Sequence, residues 1–339
     1  MSRRLTTTAA AGLTVVALAA CSASLEPGTN EGDVLHLALN QTESHPSYVA
    51  LAAWADHMEE ETGGRWTIDI YPNETLGAQA EAMQLVSDGS VEMAIVSGPQ
   101  LENLNRDFIA LNLPTTFDDI DHQMRVVHDP EIVAALYSSL ERTNNVTVLG
   151  GFTQGARSVY TTFGPVETPA DLAGHKLRVQ ESELNVAMAQ ALGASATPMA
   201  YGELYTGLQS GVVDAAENNE VSYASQRHYE VAAHWTYTNH LVGLDYLIIN
   251  TDMLASMTEA DRAVFEEGWE RARAQHVELW LEATEEAVAT AEAGGATFHE
   301  VDDQVFFEAL EPLADRFLTT DAQWEIYDAA RAAAAEPTD

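Results

Sequence analysis

Two separate stretches of this chain alternate strand patterns with helix patterns, and this alternation constrains the fold more than any other feature. In the first stretch, apolar or alternating segments predict three strands, with amphipathic helices between them. The strands are VLHLAL (34–39), WTIDIY (66–71) and VEMAIVS (91–97), and the helices are 47–62 and 79–88. This order predicts a mostly parallel sheet covered on both faces. Ligands of such sheets bind beyond the carboxyl ends of the strands, here near 40–45 and near Ser97 and Gly98.

The second stretch, which begins near Gly155, repeats this plan. Its predicted strands are SVYTTF (158–163), KLRV (176–179) and GVVDAAEN (211–218), and its predicted helices are a short one capped by Thr168, 182–192 and 201–210. A chain of 339 residues is longer than a single hydrophobic core usually supports. Two α/β halves of similar plan therefore predict two lobes with a cleft between them.

A long helical pattern follows, from Thr258 to Ala293. It has no proline and is interrupted only by Gly268, while Gly294 and Gly295 provide a stop signal. About 36 residues of helix would span roughly 54 Å, which is longer than one small lobe. We therefore expect a strut across both lobes. A coiled coil is the alternative, although the apolar positions keep no clean seven-residue repeat.

The N-terminal segment has the pattern of an export signal. Arg3 and Arg4 precede an apolar run, 9–20, which is too short to span a bilayer. The run ends in LAAC, and this sequence resembles the lipobox of bacterial lipoproteins, in which the cysteine is lipidated. We predict a signal peptide over 1–20, lipidation of Cys21 and a flexible tether over 21–33. The alternative is a buried cysteine in an ordinary N-terminal helix.

Composition and motifs exclude several classes of function. The chain carries 15 basic and 53 acidic residues, a formal net charge of −38, so nucleic acids and anionic membrane surfaces are improbable partners. Its single cysteine permits no internal disulfide. The sequence contains no GxSxG, HExxH, GxxxxGK or GxGxxG motif, and its histidines are scattered. We predict no catalytic residues, no metal site and no cofactor.

Arg178 is the strongest candidate for a ligand-binding group. It lies in an otherwise apolar strand of an acidic protein, and its planar guanidinium can hold a carboxylate bidentately. Arg157, just before a predicted strand, is a second candidate cation. Asn218 and Asn219 offer donors and acceptors suited to hydroxyl groups. The alternatives are a structural salt bridge for Arg178, a surface position for Arg157 and an ordinary strand-end turn for the two asparagines.

These residues resemble a known family, the DctP-type solute-binding proteins of tripartite ATP-independent periplasmic (TRAP) transporters. The centre of the resemblance is DLAGHKLRV followed by LGASATPMAYGELYTGLQSGVVDAAEN. It extends over LALN from residue 37, YPNETLG, DGSVEMA, LPTTF, GARSVY and YTNHLVG, which ends at residue 243. The resemblance implies an α/β, two-lobed periplasmic-binding-protein-like fold with mixed sheets, hinge strands and a long lobe-spanning helix. Lobe I would comprise 34–154 and 244–283, and lobe II would comprise 155–243 and 284–335.

The resemblance also implies roles for individual residues. Arg178 would hold the carboxylate of an organic acid, Arg157 would support it, and Asn218 would add a hydrogen bond. Other matched positions often line the cleft in this family; they are Asn40, Ser97, Tyr201 and Glu217. His240, in the TNH run, matches a position near the hinge.

One departure bears on the kind of acid. Many members of the family have ENP where this chain has ENN, at 217–219, and the ENN form resembles the branch that binds sugar acids such as hexuronates. A sugar acid carries one carboxylate and several hydroxyl groups, which suits the extra amide of Asn219. Glu43 and His45, between the first strand and helix, are candidates for contacts with those hydroxyls. The alternative for both is a solvated loop.

The resulting prediction is a monomeric, extracytoplasmic binding protein that delivers a sugar acid to the small DctQ-type and large DctM-type membrane subunits of a TRAP transporter. It would be lipid-anchored at the outer face of the cell membrane, or periplasmic. C4-dicarboxylates or keto acids are alternative ligands. A secreted enzyme acting on acidic sugars, with Glu43, Glu217 or His45 as acid or base, and a surface sensor remain alternative functions.

Overall fold

Within residues 33–335, which the computed structural model describes, nine strands join into one mixed sheet. The strands are β1 (Asp33–Ala38), β2 (Trp66–Tyr71), β3 (Met93–Ser97), β4 (Val146–Thr161), β5 (Lys176–Val179), β6 (Ser195–Pro198), β7 (Ala215–Asn218), β8 (His234–Asn250) and β9 (Thr297–Glu300). Their order is β2-β1-β3-β8-β4-β7-β5-β6, and β9 pairs with β8. The signal peptide, Cys21 and the tether up to residue 32 lie outside the described residues.

The helices cover the sheet and bridge its parts. They are α1 (Pro46–Thr62), α2 (Gln79–Ser87), α3 (Gly98–Glu102), α4 (Ile120–Val127), α5 (Pro130–Tyr137), α6 (Glu141–Asn144), α7 (Glu183–Ala191), α8 (Leu204–Ser210), α9 (Glu220–Ser225), α10 (Thr251–Ser256), α11 (Glu259–Ala293), α12 (Gln304–Leu310), α13 (Pro312–Phe317) and α14 (Asp321–Ala332). Each predicted helix is present within a few residues, but two differ in type. The segment capped by Thr168 is a 3₁₀ turn, Pro169–Leu172, and 201–210 divides into a 3₁₀ turn, Tyr201–Glu203, and α8.

Two long strands run through the centre of the sheet. β4 and β8 pair antiparallel, while β1 with β2 and β3, and β5 with β6 and β7, form parallel groups at either end. The α/β class with a mixed sheet is therefore confirmed. The lobe boundaries stay a prediction; β4 runs without a break across 154/155, and β8 does so across 243/244.

The long helix begins one residue later than predicted, because Thr258 caps it by accepting a hydrogen bond from the Asp261 amide. It contacts α1, β4 and α9. Helix α1 connects β1 to β2 in one parallel group and α9 follows β7 in the other, so α11 reaches both groups. Gly155 allows one of these approaches. Its φ is +62°, and a Cβ there would lie 2.6 Å from Nε1 of Trp280 on α11. The interpretation of α11 as a strut is confirmed.

Gly268 allows the close approach of α11 to α1. A Cβ at this position would press on the indole of Trp54 and lie 2.7 Å from Cδ2 of His57. Both neighbours belong to α1, and the Trp54 ring also packs edge-on against Phe265 at 4.8 Å between centroids.

We expect Gly268→Ala to destabilise the protein even though alanine in a helix is normally favoured over glycine by about 1 kcal/mol. Overpacking of this kind typically costs about 1–3 kcal/mol. Urea unfolding would measure the change, with the exposed Glu282→Ala on the same helix as control. A gain in stability for Gly268→Ala would contradict the close packing of α1 and α11.

Candidate ligand-binding site

A polar cavity lies at the carboxyl ends of β1, β3, β5 and β7, where the sequence predicted a ligand to bind. The space between its walls, which is partly open to solvent, measures about 460 Å³. Six of the predicted residues line it: Asn40, Ser97, Arg157, Arg178, Tyr201 and Asn218. Ser97 ends β3 in one parallel group, and Arg178 on β5 and Asn218 on β7 belong to the other. The cavity therefore lies between the two parallel groups, which are the two halves of the fold.

Arg157 forms a buried ion pair with Glu217. Nε donates to Oε2 of Glu217 at 2.6 Å, and Nη2 donates to its Oε1 at 2.8 Å and to its carbonyl at 2.9 Å. Nη1 donates to Gln154 at 2.6 Å and to Oδ1 of Asn218 at 2.9 Å. All five N–H groups of this guanidinium are therefore occupied by the protein itself.

Each residue of this pair stabilises the charged form of the other. Burial by itself would lower the pKa of Arg157, but the effect of the Glu217 carboxylate is larger than that of burial, so the pKa of Arg157 is raised. Burial likewise raises the pKa of Glu217, yet Arg157 brings it down to about 2. The Glu217 side chain is fully buried and does not line the cavity. Arg157 therefore lines the cavity with its charge already neutralised by Glu217.

Arg178, in contrast, is a buried cation without a carboxylate partner. Its side chain is 3% exposed, and both Nε (3.0 Å) and Nη2 (2.7 Å) donate to the carbonyl of Met199. Among the described residues, no carboxylate lies within 4.0 Å of it. Burial lowers its pKa, and the Glu217 carboxylate, which is paired with Arg157, offsets this effect only in part. The edge of the guanidinium formed by Nη1 and Nη2 keeps N–H donors for a ligand.

The side chains of Asn218 and Asn219 make different hydrogen bonds, and only one of them faces the cavity. Oδ1 of Asn218 accepts from Arg157 and from the amide of Asn219 at 3.0 Å, while its side chain still lines the cavity. The Asn219 side chain caps α9, because its Oδ1 accepts from the Ser222 amide at 2.7 Å. Asn219 is 1% exposed and is not among the lining residues. Only the first of the two amides therefore faces the cavity.

Four lining residues carry a buried side-chain oxygen without any hydrogen-bond donor among the described residues. They are Asn40, which was predicted, and Gln41, Glu74 and Gln180, which were not. Unpartnered buried acceptors are costly and usually indicate a missing partner. Gln180 could have been found from its position two residues after Arg178 on one face of the strand. Gln41 adjoins Asn40, and Glu74 lies inside the YPNETLG run.

Three other predicted residues lie away from the cavity lining. Glu43 is exposed. His45 is buried and caps α1, because its Nδ1 accepts from the Ser47 amide at 3.2 Å. His240 is fully buried, bonds through Nδ1 to Thr238 at 2.8 Å, and lies 3.7 Å from Oε2 of Glu217. His45, His240 and Glu217 are therefore buried and bonded within the protein, and Glu43 is exposed to solvent.

Glu102, at the end of α3 behind Ser97, makes the stability of this region depend on pH. It is 5% exposed, its Oε1 accepts from Asn112 at 2.9 Å, and burial raises its pKa from 4.5 to about 7. Because the folded-state pKa is the higher one, its contribution to stability is fully present below pH 4.5 and is lost as the pH rises through about 7.

We expect Glu102→Gln to become more stable relative to wild type as the pH rises from 4 to 8, by about 3 kcal/mol in total. The amide keeps an acceptor for Asn112 and never ionises. Urea unfolding at both pH values would measure this, with the exposed Glu308→Gln as control. A difference that stays constant with pH would contradict the buried, protonated state of Glu102.

Within the part of the chain that the structure describes, no group of three or more His, Cys, Asp or Glu side chains is placed to hold a metal ion. No helix between residues 33 and 335 is long and apolar enough to cross a membrane. The fold and the cavity, with its single unpaired cation and several unpartnered acceptors, define a binding protein for a small polar anion.

Comparisons with known proteins identify the family. The model of the bacterial extracellular solute-binding protein family 7, DctP, matches residues 37–321, and the chain belongs to this family of extracytoplasmic proteins. A solute-binding protein of Chromohalobacter salexigens is 36% identical over 280 residues, which are 81% of this chain and 82% of that protein.

Two solved structures of TRAP periplasmic solute-binding proteins are also similar. That from Anaerococcus prevotii, with bound D-glucuronate, is 35% identical with a TM-score of 0.86, covering 88% of this chain and 97% of the other. That from a Bradyrhizobium species, in complex with D-galacturonate, is 30% identical with a TM-score of 0.85, covering 88% and 100%. The family and the fold named from the sequence are both confirmed.

Proposed function

We propose that the protein binds a hexuronate or a closely related sugar acid in the cavity and delivers it to a TRAP transporter. The observation that carries this proposal is the buried Arg178, which has no carboxylate partner among the described residues. A buried unpaired charge costs several kcal/mol, and a ligand carboxylate on the free edge of the guanidinium would remove most of that cost. Relatives with bound D-glucuronate and D-galacturonate support the choice of ligand.

The charge of the cavity wall supports a ligand with one carboxylate. Glu217 neutralises Arg157, so Arg178 is the one arginine of the lining that has no ion-pair partner among the described residues, and Glu74 and Glu181 line the same space with negative charge. The unpartnered oxygens of Asn40, Gln41 and Gln180 suit the hydroxyl groups of a sugar. A hexuronate supplies one carboxylate together with several hydroxyls, whereas a C4-dicarboxylate supplies few or no hydroxyls for these acceptors.

The proposed cycle is binding, closure and delivery without chemistry. Lobes divided at 154/155, 243/244 and 283/284 would close over the ligand by bending in β4 and β8, where the pairing register shifts between Thr153 and Ala156 and between Arg157 and Val159. Bulges of this kind allow a strand to bend. The closed protein would then meet the small and large membrane subunits as a monomer.

The proposed attachment to the membrane is a lipid on Cys21, followed by the tether. LAAC supports it, and the pattern of 1–20 supports export. Metabolic labelling with a fatty acid during expression in a bacterium would detect the lipid, and it should disappear in Cys21→Ser. Equal labelling of both proteins would contradict the anchor.

A thermal-shift screen tests the proposed ligand, because a ligand that binds only the native state raises the melting temperature. The purified protein would be mixed with D-glucuronate, D-galacturonate, an aldonate, succinate, pyruvate and the uncharged D-glucose. We expect shifts with the uronates and none with glucose. Recovery of the bound uronate unchanged after long incubation would support binding without turnover. A response to succinate alone would contradict the sugar-acid proposal.

A further inference from the structure

Glu74 enters the cavity from a turn with an unusual backbone. Asn73 and Glu74 have φ values of +58° and +55°, the left-handed region that residues other than glycine seldom occupy. The turn is held by the Asn73 amide, which donates to the carbonyl of Gln41 at 3.0 Å, and by the Glu74 amide, which donates to that of Leu39 at 3.1 Å. Such conformations persist where the surrounding structure fixes them, and they concentrate at functional sites.

The Glu74 carboxylate bridges the two halves of the cavity wall. Oε2 accepts from the Gly202 amide at 3.2 Å, on the opposite half from the turn that carries Glu74. Gly202 makes this contact possible, since a Cβ there would collide with Oε2. The other oxygen, Oε1, is closed off from solvent and has no donor among the described residues. One carboxylate oxygen is therefore left for the contents of the cavity.

Glu74 also gives the cavity a negative pole. Glu74, Glu181 and Arg178 line the same space. The Glu74 carboxylate and the Arg178 guanidinium are more than 4.0 Å apart and form no ion pair. Burial, together with the nearby Glu203 and Glu181, raises the pKa of Glu74, while the Gly202 amide and Arg178 lower it. A second carboxylate brought next to Glu74 would meet like charges in a poorly solvated space, which is costly.

We propose that Glu74 is the residue that restricts the ligand to one carboxylate. It accepts hydrogen bonds from hydroxyl groups of the sugar and repels an acid that carries a carboxylate at both ends. The proposal rests on the proposed binding of a hexuronate by Arg178. Arg178 attracts any carboxylate and cannot by itself distinguish a hexuronate from the corresponding hexarate. Glu74 supplies the repulsive element that such discrimination requires.

Glu74→Gln tests this proposal, because the variant keeps an acceptor oxygen and removes the charge. Calorimetry would give dissociation constants for D-galacturonate and galactarate, which carries a carboxylate at each end, with wild type and variant at pH 7.5. We expect Glu74→Gln to weaken galacturonate binding by about threefold to tenfold and to strengthen galactarate binding, so that the ratio of the two constants moves at least about tenfold toward galactarate.

The exposed Glu203→Gln is the matched control, since it removes the same charge from a neighbouring position outside the lining. It should leave the ratio within about threefold of wild type. Glu74→Asn is a second neutral variant, because asparagine tolerates a positive φ, and thermal melts would establish that both variants are folded.

A wild type that binds galacturonate, together with an unchanged ratio in folded Glu74→Gln or Glu74→Asn, would overturn the role of Glu74 and leave the proposed function standing. A wild type that binds no hexuronate at all would overturn both. An equal change of the ratio in Glu203→Gln would assign the effect to the general acidity of the surface, and would also overturn the proposal.

Discussion

Replacing Arg178 with alanine is expected to weaken hexuronate binding severely. The ligand carboxylate would enter a buried space with no cation left to pair with it, a loss of about 2–5 kcal/mol, which is roughly 30-fold to 4000-fold in the dissociation constant. Calorimetry with D-glucuronate would measure it. Folding should survive, because the substitution removes a buried charge that forms no ion pair with a carboxylate of residues 33–335.

Lysine at position 178 should restore little of this affinity. An ammonium group is a single point charge and cannot donate to the Met199 carbonyl and to both carboxylate oxygens in the planar geometry of the guanidinium. The exposed Arg262→Ala serves as the control for the loss of one positive charge. Near wild-type affinity in Arg178→Ala would remove this residue from the binding site.

The second large effect is expected on stability. Arg157→Met leaves the Glu217 carboxylate buried without its cation, and such a loss typically costs about 3–5 kcal/mol. Urea unfolding would measure it. The double variant Arg157→Met, Glu217→Met removes both charges and should recover a large part of that loss, although Gln154 and Asn218 still lose a donor. A double variant as unstable as the single one would contradict the importance of the unpaired charge.

The same pair predicts a dependence on acid. The pKa of Glu217 is lowered in the folded protein, to about 2, because Arg157 outweighs the effect of burial. Its contribution to stability is therefore present above pH 4.5, the unperturbed value, and is lost as the pH falls toward 2. The stability of wild type relative to the double variant should shrink over that range. An advantage that stays constant from pH 5 to pH 2 would contradict the paired state of Glu217.

The parts of the fold that were predictable are those with local periodicity. The alternation in β1 to β3 and the uninterrupted pattern of α11 gave the right elements, because burial of one face imposes a period that the sequence records. Only the last part of β4 was predicted, as the strand 158–163, and the periodicity of the sequence predicted no strand at β8. Gly150, Gly151 and Gly155 interrupt the pattern of β4, and the bulges that accommodate them depend on pairing with a strand about ninety residues later.

The site was predictable in position and less so in detail. Strand ends marked the region, and an arginine in an apolar strand marked Arg178. What no sequence pattern could give is which polar groups the fold itself satisfies. Glu217 is bound by Arg157, through a contact between distant residues that exists only after folding. Asn219, in contrast, caps α9 by accepting from the Ser222 amide, and a local capping pattern could have indicated that role. Glu74 was missed because a glutamate in a left-handed turn follows no turn rule.

The most direct test of the account is a crystal structure of the protein with D-glucuronate. We predict that both carboxylate oxygens lie within hydrogen-bond distance of the Nη1 and Nη2 edge of Arg178, that Asn218 contacts the ligand, and that hydroxyl groups meet the oxygens of Asn40, Gln41 and Gln180. A complex in which the carboxylate lies elsewhere, with Arg178 still bonded only to the Met199 carbonyl, would contradict the central claim.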